Sequence, residues 1–430
     1  MSRGLHTEEE KAKIRASKQA TALRHSSMDA KVYELKIVER RLNKQQKEQL
    51  ELLFLEGKWF YNHILSEKKK REIPLHCINP THYKDILKLD KDKNKVSYKL
   101  QILPSHFKQT IHMRMISNEK TIRSLVKKGL QRYGSLKFKS ELSCIPLKGM
   151  DWKFKSMRKV WIMGIKGQIL VRGVEQIPAN SEFANANLLK RADGYFLKVT
   201  TYQERKEKQN NGKEIGLDLG IKTSITTSEG EKIDISIEES DRLKRLQREM
   251  FRRVKGSNNR WKTIKKLRKA YQKQTNKKQD KANKIVHRLK AYDRIYMQDE
   301  NIAGWHRGMF GKQVQHSCLG MVKSKLMALP QTVVLDMFIP TTKLCPKCHS
   351  VKNDMTLADR VYECSCGYHE DRDVHAAKNM INIAKSCFEN HLVPAEHREI
   401  TLTEFKAAVA DEILSSKPGQ RSEKIIPFKV

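Results

Sequence analysis

The chain has 430 residues, and its 86 Lys and Arg against 49 Asp and Glu leave a formal charge of +37 at pH 7, a surplus that asks for a polyanionic partner, nucleic acid first. Its 38% hydrophobic content suffices for two or three folded domains, while no stretch approaches the roughly 20 apolar residues of a membrane span and the N-terminus carries no apolar signal core. The eight cysteines, four clustered and Cys77, Cys144, Cys318 and Cys387 scattered, make no disulfide framework, so a reducing, cytoplasmic setting away from membranes is expected.

Residues 1–29 read as a basic extension, helical or disordered. From Lys31 to Arg41 the apolar Tyr33, Leu35 and Ile37 alternate with Glu34 and Lys36, the period of a half-buried strand. Asn43 suits a helix cap, after which Leu50, Leu53, Phe54, Gly57, Tyr61, Ile64 and Leu65 trace one helical stripe. Trp59 and Phe60 widen that stripe and read as packing rather than as base-stacking groups. The basic runs at 68–71 and 88–95 suit a solvated face or a phosphate backbone. A second helical pair is expected from about Pro104 to Arg132, with Phe107, Ile111, Met115, Ile122, Leu125, Val126 and Leu130 as its apolar positions. Beyond Leu136 the pattern shortens to alternating runs at 136–139, 160–163 and 168–171, and Asp193-Gly194 marks a hairpin turn within 188–202. One strand precedes the helices and the others follow. The expectation is a β-barrel, at 30–42 and 134–205, interrupted by a helical insertion at 43–133.

A polar linker over 203–211 opens a new domain. The segment Glu214 to Ile221, EIGLDLGI, sets Ile215, Leu217 and Leu219 on one strand face and Gly216, Asp218 and Gly220 on the other. Glycines beside a lone carboxylate leave room for a metal ion or a phosphodiester. The next strand, 224–227, enters a turn at Ser228-Glu229-Gly230, so an Asp-bearing strand leads a hairpin as in RNase H-like nucleases. Residues 241–290 read as a long basic helical region broken near Gly256, with Leu243, Leu246, Met250, Val254, Trp261, Ile264 and Leu267 buried and Arg and Lys over the rest as a phosphate-facing surface. Arg294 to Glu300, RIYMQDE, reads as a strand with Tyr296, Gln298 and Glu300 on one face. A glycine-rich loop and helix follow over 305–325, then a strand over 332–338.

Cys345 and Cys348, then Cys364 and Cys366, are thiol pairs at short spacing that can converge on one tetrahedral Zn²⁺, at about 2.3 Å per Zn–S bond. This predicts a zinc ribbon at 341–367. Asp373 is expected to open a helix through Val374, Ala377 and Ile381, its carboxylate held charged beside the helix N-terminus as a natural metal ligand. Asp371 suits a helix cap or a supporting contact, and Arg372 a phosphate contact. The tail, 386–430, reads as peripheral apart from a short helix near 404–414.

GLDLG at 216–220, QDENIAGW at 298–305, IPTTKLCPKC at 339–348 and CSCGYHEDRDVHAAKNM at 364–380, in this order and spacing, resemble the TnpB proteins. YELKIVERRL and GSLKFKSELSCIPLKG extend the likeness to about Tyr33 through Ala384. TnpB proteins are transposon-encoded RNA-guided DNA nucleases, relatives of the compact type V CRISPR effectors. The resemblance implies a multidomain α+β chain: a wedge β-barrel with a helical recognition insertion, then an RNase H-like (RuvC) α/β nuclease domain at 212–340 and 368–385 holding the inserted zinc ribbon. It implies a prokaryotic, nucleoid-associated DNA endonuclease using two Mg²⁺ held by Asp218, an acid of the second motif, and Asp373. The partners it implies are a non-coding guide RNA from the transposon end and double-stranded target DNA with a short flanking motif. At the second motif the family's usual Glu-Asp-Leu puts its glutamate at Gln298. Glu300, on the same strand face at a shift of roughly 6.5 to 7 Å, is the expected acid, with Asp299 the fallback. Two readings stay open beside this one: a nuclease-inactive RNA-guided repressor, which Gln298 favours, and an RNA-independent transposase or resolvase.

Overall fold

The computed structural model describes residues 7–90, 94–129, 131, 134–205, 211–220, 224–352, 354–356, 358–389, 394 and 398–415, and it divides into two compact units, Met1–Glu207 and Lys208–Val430. Among the described residues no helix is long and apolar enough to cross a membrane.

The first unit runs α1 (Glu8–Ser26), β1 (Met28–Ile37), α2 (Lys44–Arg71), β2 (Asp85–Leu89), β3 (Lys95–Lys99), α3 (Ser105–Lys127), β4 (Cys144–Leu147), β5 (Trp152–Ser156), β6 (Lys159–Ile162), β7 (Ile169–Arg172), β8 (Glu182–Arg191) and β9 (Gly194–Glu204). Asn43 starts α2 through a reciprocal capping box with Gln46, and the expected stripe from Leu50 to Leu65 is buried. The strands make one sheet ordered β4-β8-β9-β1-β7-β6-β5, in which β1 pairs antiparallel with both β9 and β7. The strand before the helices thus sits in the middle of the sheet made by those after them. The outermost strands β4 and β5 are joined by residues 148–151 alone, a reach of at most about 14 Å. The sheet must therefore curl until its two edges are neighbours, a near-closed barrel around Leu35, Ile37, Ile145, Val160, Val171, Leu188 and Leu197.

Three expectations change. The segment from Pro104 is one helix, capped at Pro104 and ending at Lys127, rather than a pair; Leu130 and Arg132 lie outside the described residues. Residues 136–139 form no strand. The insertion also contains the β2–β3 hairpin, whose lysine-rich turn the charge pattern concealed; residues 91–93 of that turn lie outside the described set. This hairpin is what Trp59 packs against: its ring meets Tyr98 at 4.9 Å, and Lys88 Nζ lies 4.4 Å from its centroid. Glu56 is fully buried on the same helix and accepts hydrogen bonds from the amides of Gln101, Ile102 and Leu103 and from the Tyr98 hydroxyl.

The second unit runs β10 (Glu214–Leu219), β11 (Ser224–Thr227), β12 (Lys232–Asp234), α4 (Asp241–Arg252), α5 (Asn258–Leu289), β13 (Arg294–Gln298), α6 (Ile302–Arg307), α7 (Gly311–Gln315), α8 (Leu319–Met327), β14 (Thr332–Leu335), β15 (Val361–Glu363), β16 (His369–Asp371), α9 (Arg372–Glu389), β17 (Glu399–Ile400) and α10 (Leu402–Ser415). Its main sheet is ordered β12-β11-β10-β13-β14-β17. The β10–β11 and β11–β12 pairs are antiparallel, whereas β10–β13, β13–β14 and β14–β17 are parallel. Ile221, expected at the end of the first strand, lies outside the described residues. The tail is not peripheral: β17 completes the sheet edge and Phe405 and Ala408 are buried in the core beside Ile383 and Cys387. A two-residue strand leaves no alternation for a sequence pattern to display. In the basic hairpin only Leu243, Leu246 and Leu267, with Met250 and Ala270 against them, form a core. Val254 and Trp261, expected inside, are 76% and 53% exposed, because Val254 falls in the turn and Trp261 on a different face of α5 from Leu267.

Candidate acidic site and cysteine cluster

Asp218 sits on β10, the strand that joins the antiparallel and parallel halves of the sheet, opposite Thr226 of β11. Two residues earlier, Gly216 does something other than leave room for an ion. A Cβ there would stand 1.9 Å from the Ala377 carbonyl oxygen and 3.3 Å from Ile381, so the missing side chain lets α9 lie directly on the strand. That contact brings the start of α9, with Asp373, within reach of the charge on Asp218, although among the described residues the group of ligand atoms within 4.8 Å of one another is that of the four cysteines and not of these acids. The helix begins at Arg372 rather than at Asp373, and Asp371 caps it: its Oδ1 accepts from the amides of Asp373 at 3.0 Å and Val374 at 3.2 Å. Burial opposes ionisation of Asp371, but these bonds and one from Lys232 hold its carboxyl below the usual range.

The carboxyl of Asp218 is pushed up to about 7, first by burial and then by the charges of Asp373 and Glu300, with Arg372 opposing and Asp371 adding. Asp218, Asp373 and Glu300 therefore share one electrostatic neighbourhood. Glu300 is itself raised by burial, with Lys323 pulling down and Asp299 pushing up. The route to Glu300 differs from the expected one. Strand β13 stops at Gln298, and Glu300 lies in the loop beyond, so no shared strand face places it there. Asp299 turns away to Lys323, whose Nζ is 2.5 Å from its Oδ1 and 2.5 Å from the Glu300 carbonyl oxygen.

Gln298 is buried and fully engaged. Its Nε2 donates to the carbonyls of Asp336 at 3.0 Å and Ile339 at 2.8 Å, and its Oε1 accepts from the Thr341 hydroxyl at 3.1 Å. A carboxylate could not donate to two carbonyl oxygens, so the amide at this position has a job that glutamate cannot do. Lys323 and the packing role of Gly216 escaped sequence reasoning. Each acts on a residue distant in sequence, and no local pattern marks it.

The four cysteine sulfurs all lie within 4.8 Å of one another, with Cys345 and Cys366 at 3.6 Å and Cys348 and Cys364 at 3.5 Å. Tetrahedral bonds of about 2.3 Å put ligand sulfurs about 3.8 Å apart, so the cluster fits Zn²⁺. One sulfur of each close pair comes from the Cys345–Cys348 turn and the other from the Cys364–Cys366 turn, which the β15–β16 hairpin presents. The single residue between Cys364 and Cys366 does not prevent convergence.

Residues 197–301, which carry Asp218 and Glu300, match a family described as "Probable transposase". Residues 323–380, which carry the four cysteines and Asp373, match the family "Cas12f1-like, TNB domain". A Streptomyces pristinaespiralis protein described as a "Putative RNA-guided DNA endonuclease" is 30% identical over 177 residues, 39% of this chain and 44% of that protein. The chain thus matches less than half the length of that relative. A solved structure titled "Cryo-EM structure of the Cas12f1-sgRNA-target DNA complex" aligns at a TM-score of 0.45 and 13% identity, over 82% of this chain and 99% of that one. The acid-bearing mixed sheet and the four-cysteine ribbon thus lie in segments similar to a probable-transposase family and to a Cas12f1-like family, each match covering less than half of the chain. Together with the Streptomyces relative, these matches agree with the resemblance read from the motifs.

Proposed function

We propose that this chain is an RNA-guided DNA endonuclease that hydrolyses target DNA at Asp218, Glu300 and Asp373. The observation that supports the reading is a carboxyl, Asp218, raised to about 7 by burial first and then by the charges of two further carboxyls, Asp373 and Glu300, that come from separate elements. Carboxyls that disfavour one another's ionisation gain when a cation joins them. An all-oxygen donor set suits Mg²⁺, whereas the thiolates suit Zn²⁺. Asp218, Glu300 and Asp373 would hold two Mg²⁺, which would supply an activated water and neutralise charge at the scissile phosphate. The chain's own part is to fix the acids: Gly216 sets the approach of α9, Asp371 caps it, and Lys323 ties down the loop bearing Glu300. The mixed sheet, three antiparallel strands continued by three parallel ones with Asp218 on the joining strand, supports an RNase H-like (RuvC) domain over 212–340 and 368–385, with the ribbon inserted at 341–367.

A non-coding RNA from the transposon end would guide the protein to double-stranded DNA bearing a short flanking motif, with base pairing supplying sequence specificity. The near-closed barrel and its insertion, 30–205, would serve as wedge and recognition parts. The repressor reading rests on Gln298 alone, an amide engaged with the carbonyls of Asp336 and Ile339, and it predicts guided binding without cleavage in Mg²⁺. Purification of the full chain with its native nucleic acid, followed by sequencing, tests the reading. A defined RNA ending in a variable segment is expected, and matching DNA should be cut in Mg²⁺ by the wild type but bound without cutting by Asp218→Ala. Absence of RNA, or cutting that persists in Asp218→Ala, would overturn it.

A further inference from the structure

Between the acids and the cysteines lies a continuous set of buried polar side chains. Gln298 and Thr341 are 6% and 3% exposed, Asn379 1%, and His375 and Tyr362 0%. From the β13 side, Gln298 grips the segment 336–341 through the three hydrogen bonds described above. From the α9 side, Asn379 Nδ2 donates to the carbonyls of Thr341 and Leu344, both at 2.7 Å. One turn earlier on α9, His375 stacks on Tyr362 of the ribbon hairpin at 3.9 Å between centroids, and the Tyr362 hydroxyl donates to the Lys343 carbonyl at 3.3 Å. Segment 336–344 is thus held from two sides and runs directly into Cys345. The two elements that hold it also carry acids: Glu300 follows Gln298 by two residues, and Asp373 precedes His375 by two.

We propose that Gln298 and Asn379 are positioning residues that couple the cysteine cluster to the acidic site, so that metal occupancy at one sets divalent-ion affinity at the other. The inference rests on reading both clusters as metal sites. A filled cysteine cluster anchors Cys345 and so fixes segment 336–344. That segment offers Gln298 and Asn379 the carbonyls and hydroxyl they need, and the two amides hold the loop after β13 and the first turns of α9. Emptying the cluster frees the segment. Each amide then sits in a dry site without its partners, and the two acid-bearing elements relax around it. Partners that orient metal ligands typically change metal affinity 10- to 100-fold when removed, and coupling between two binding sites is reciprocal.

The test uses full-length protein prepared zinc-loaded and zinc-depleted, with zinc measured by atomic absorption and Mn²⁺ binding followed by the electron paramagnetic resonance of free Mn²⁺. In the wild type, zinc depletion is expected to weaken Mn²⁺ binding about tenfold, and saturating Mn²⁺ to tighten zinc by the same factor. Gln298→Met and Asn379→Ser should keep zinc yet bind Mn²⁺ weakly whether or not zinc is present, because the connection is cut. Two variants on different elements guard against a folding failure in either. If wild-type Mn²⁺ binding is unchanged by Asp218→Asn, the acidic-site reading fails and takes the coupling with it. If Asp218→Asn abolishes Mn²⁺ binding but zinc depletion leaves wild-type affinity unaltered, the coupling alone is overturned. A loss of thermal stability in the two variants with intact zinc dependence of Mn²⁺ binding would also overturn it.

Discussion

Asp218 shows how burial and neighbouring charge oppose the ionisation of a single carboxyl. In the fold its carboxyl is pushed up from an ordinary 3.8 to about 7, by burial first. A raised carboxyl favours folding fully only below its unfolded value, and that contribution is lost as pH climbs through the folded one. In Mg²⁺-free buffer, Asp218→Asn should therefore match the wild type near pH 4 and exceed it increasingly up to pH 8, by at most about 4 kcal/mol. Urea melts at the two pH values check this, and added Mg²⁺ should shrink the gap by favouring the ionised form. Gln298 makes the opposite case. Gln298→Glu, which would place there the acid that the sequence resemblance implies, would aim a buried carboxylate at the carbonyls of Asp336 and Ile339. A loss of about 3 kcal/mol or more is expected in denaturant melts, with no gain in cleavage rate.

At the scale of elements, the contact between β10 and α9 decides whether the acids meet. Gly216→Ala sets a methyl 1.9 Å from the Ala377 carbonyl oxygen, a backbone atom that cannot swing aside. Helix α9 must then move off the strand and take Asp373 with it. Stability should fall by about 3 kcal/mol, and divalent binding at the acidic site should weaken even where the protein stays folded, as calorimetric titration would show. The sequence displayed the strand of Asp218, the α2 stripe, the barrel's interruption and the cysteine spacing, because each is written in local period or local chemistry. It hid what depends on a distant partner. Glu300 was expected on the face of a strand, but the strand ends at Gln298 and a loop carries the acid whose charge acts on Asp218. Trp261 looked buried because it is apolar, although six residues of helix turn it to a different face of α5 from Leu267. The hairpin inside the insertion and the edge strand β17 were too short or too charged to stand out.

Across the whole molecule the dominant quantity is the charge of +37. It predicts nucleic-acid affinity falling steeply with salt, by a log–log slope of roughly 0.7 to 0.9 for each phosphate neutralised. The arginines of the α4–α5 hairpin should not contribute alike. Arg253 pairs with Glu249, and Arg260 donates to the carbonyls of Met250 and Arg253, closing the end of α4. Among the described residues Arg242, Arg245 and Arg252 have no ion-pair partner. Replacing these three with Ala should reduce the slope by about 2 to 3 and leave the melting temperature nearly unchanged. Arg260→Ala should do the reverse, and filter binding across a salt series together with melts would separate the two classes.

The order of strands in the second unit has a consequence for synthesis. Asp218 emerges early in that unit, yet the helix that supplies Asp373 and the strand that seals the sheet edge are among its last elements. A ribosome must translate well over a hundred codons between the first acid and the third. The nascent polypeptide consequently cannot set Asp373 beside Asp218 until α9 has been made, so this group of acids forms late in the synthesis of the unit.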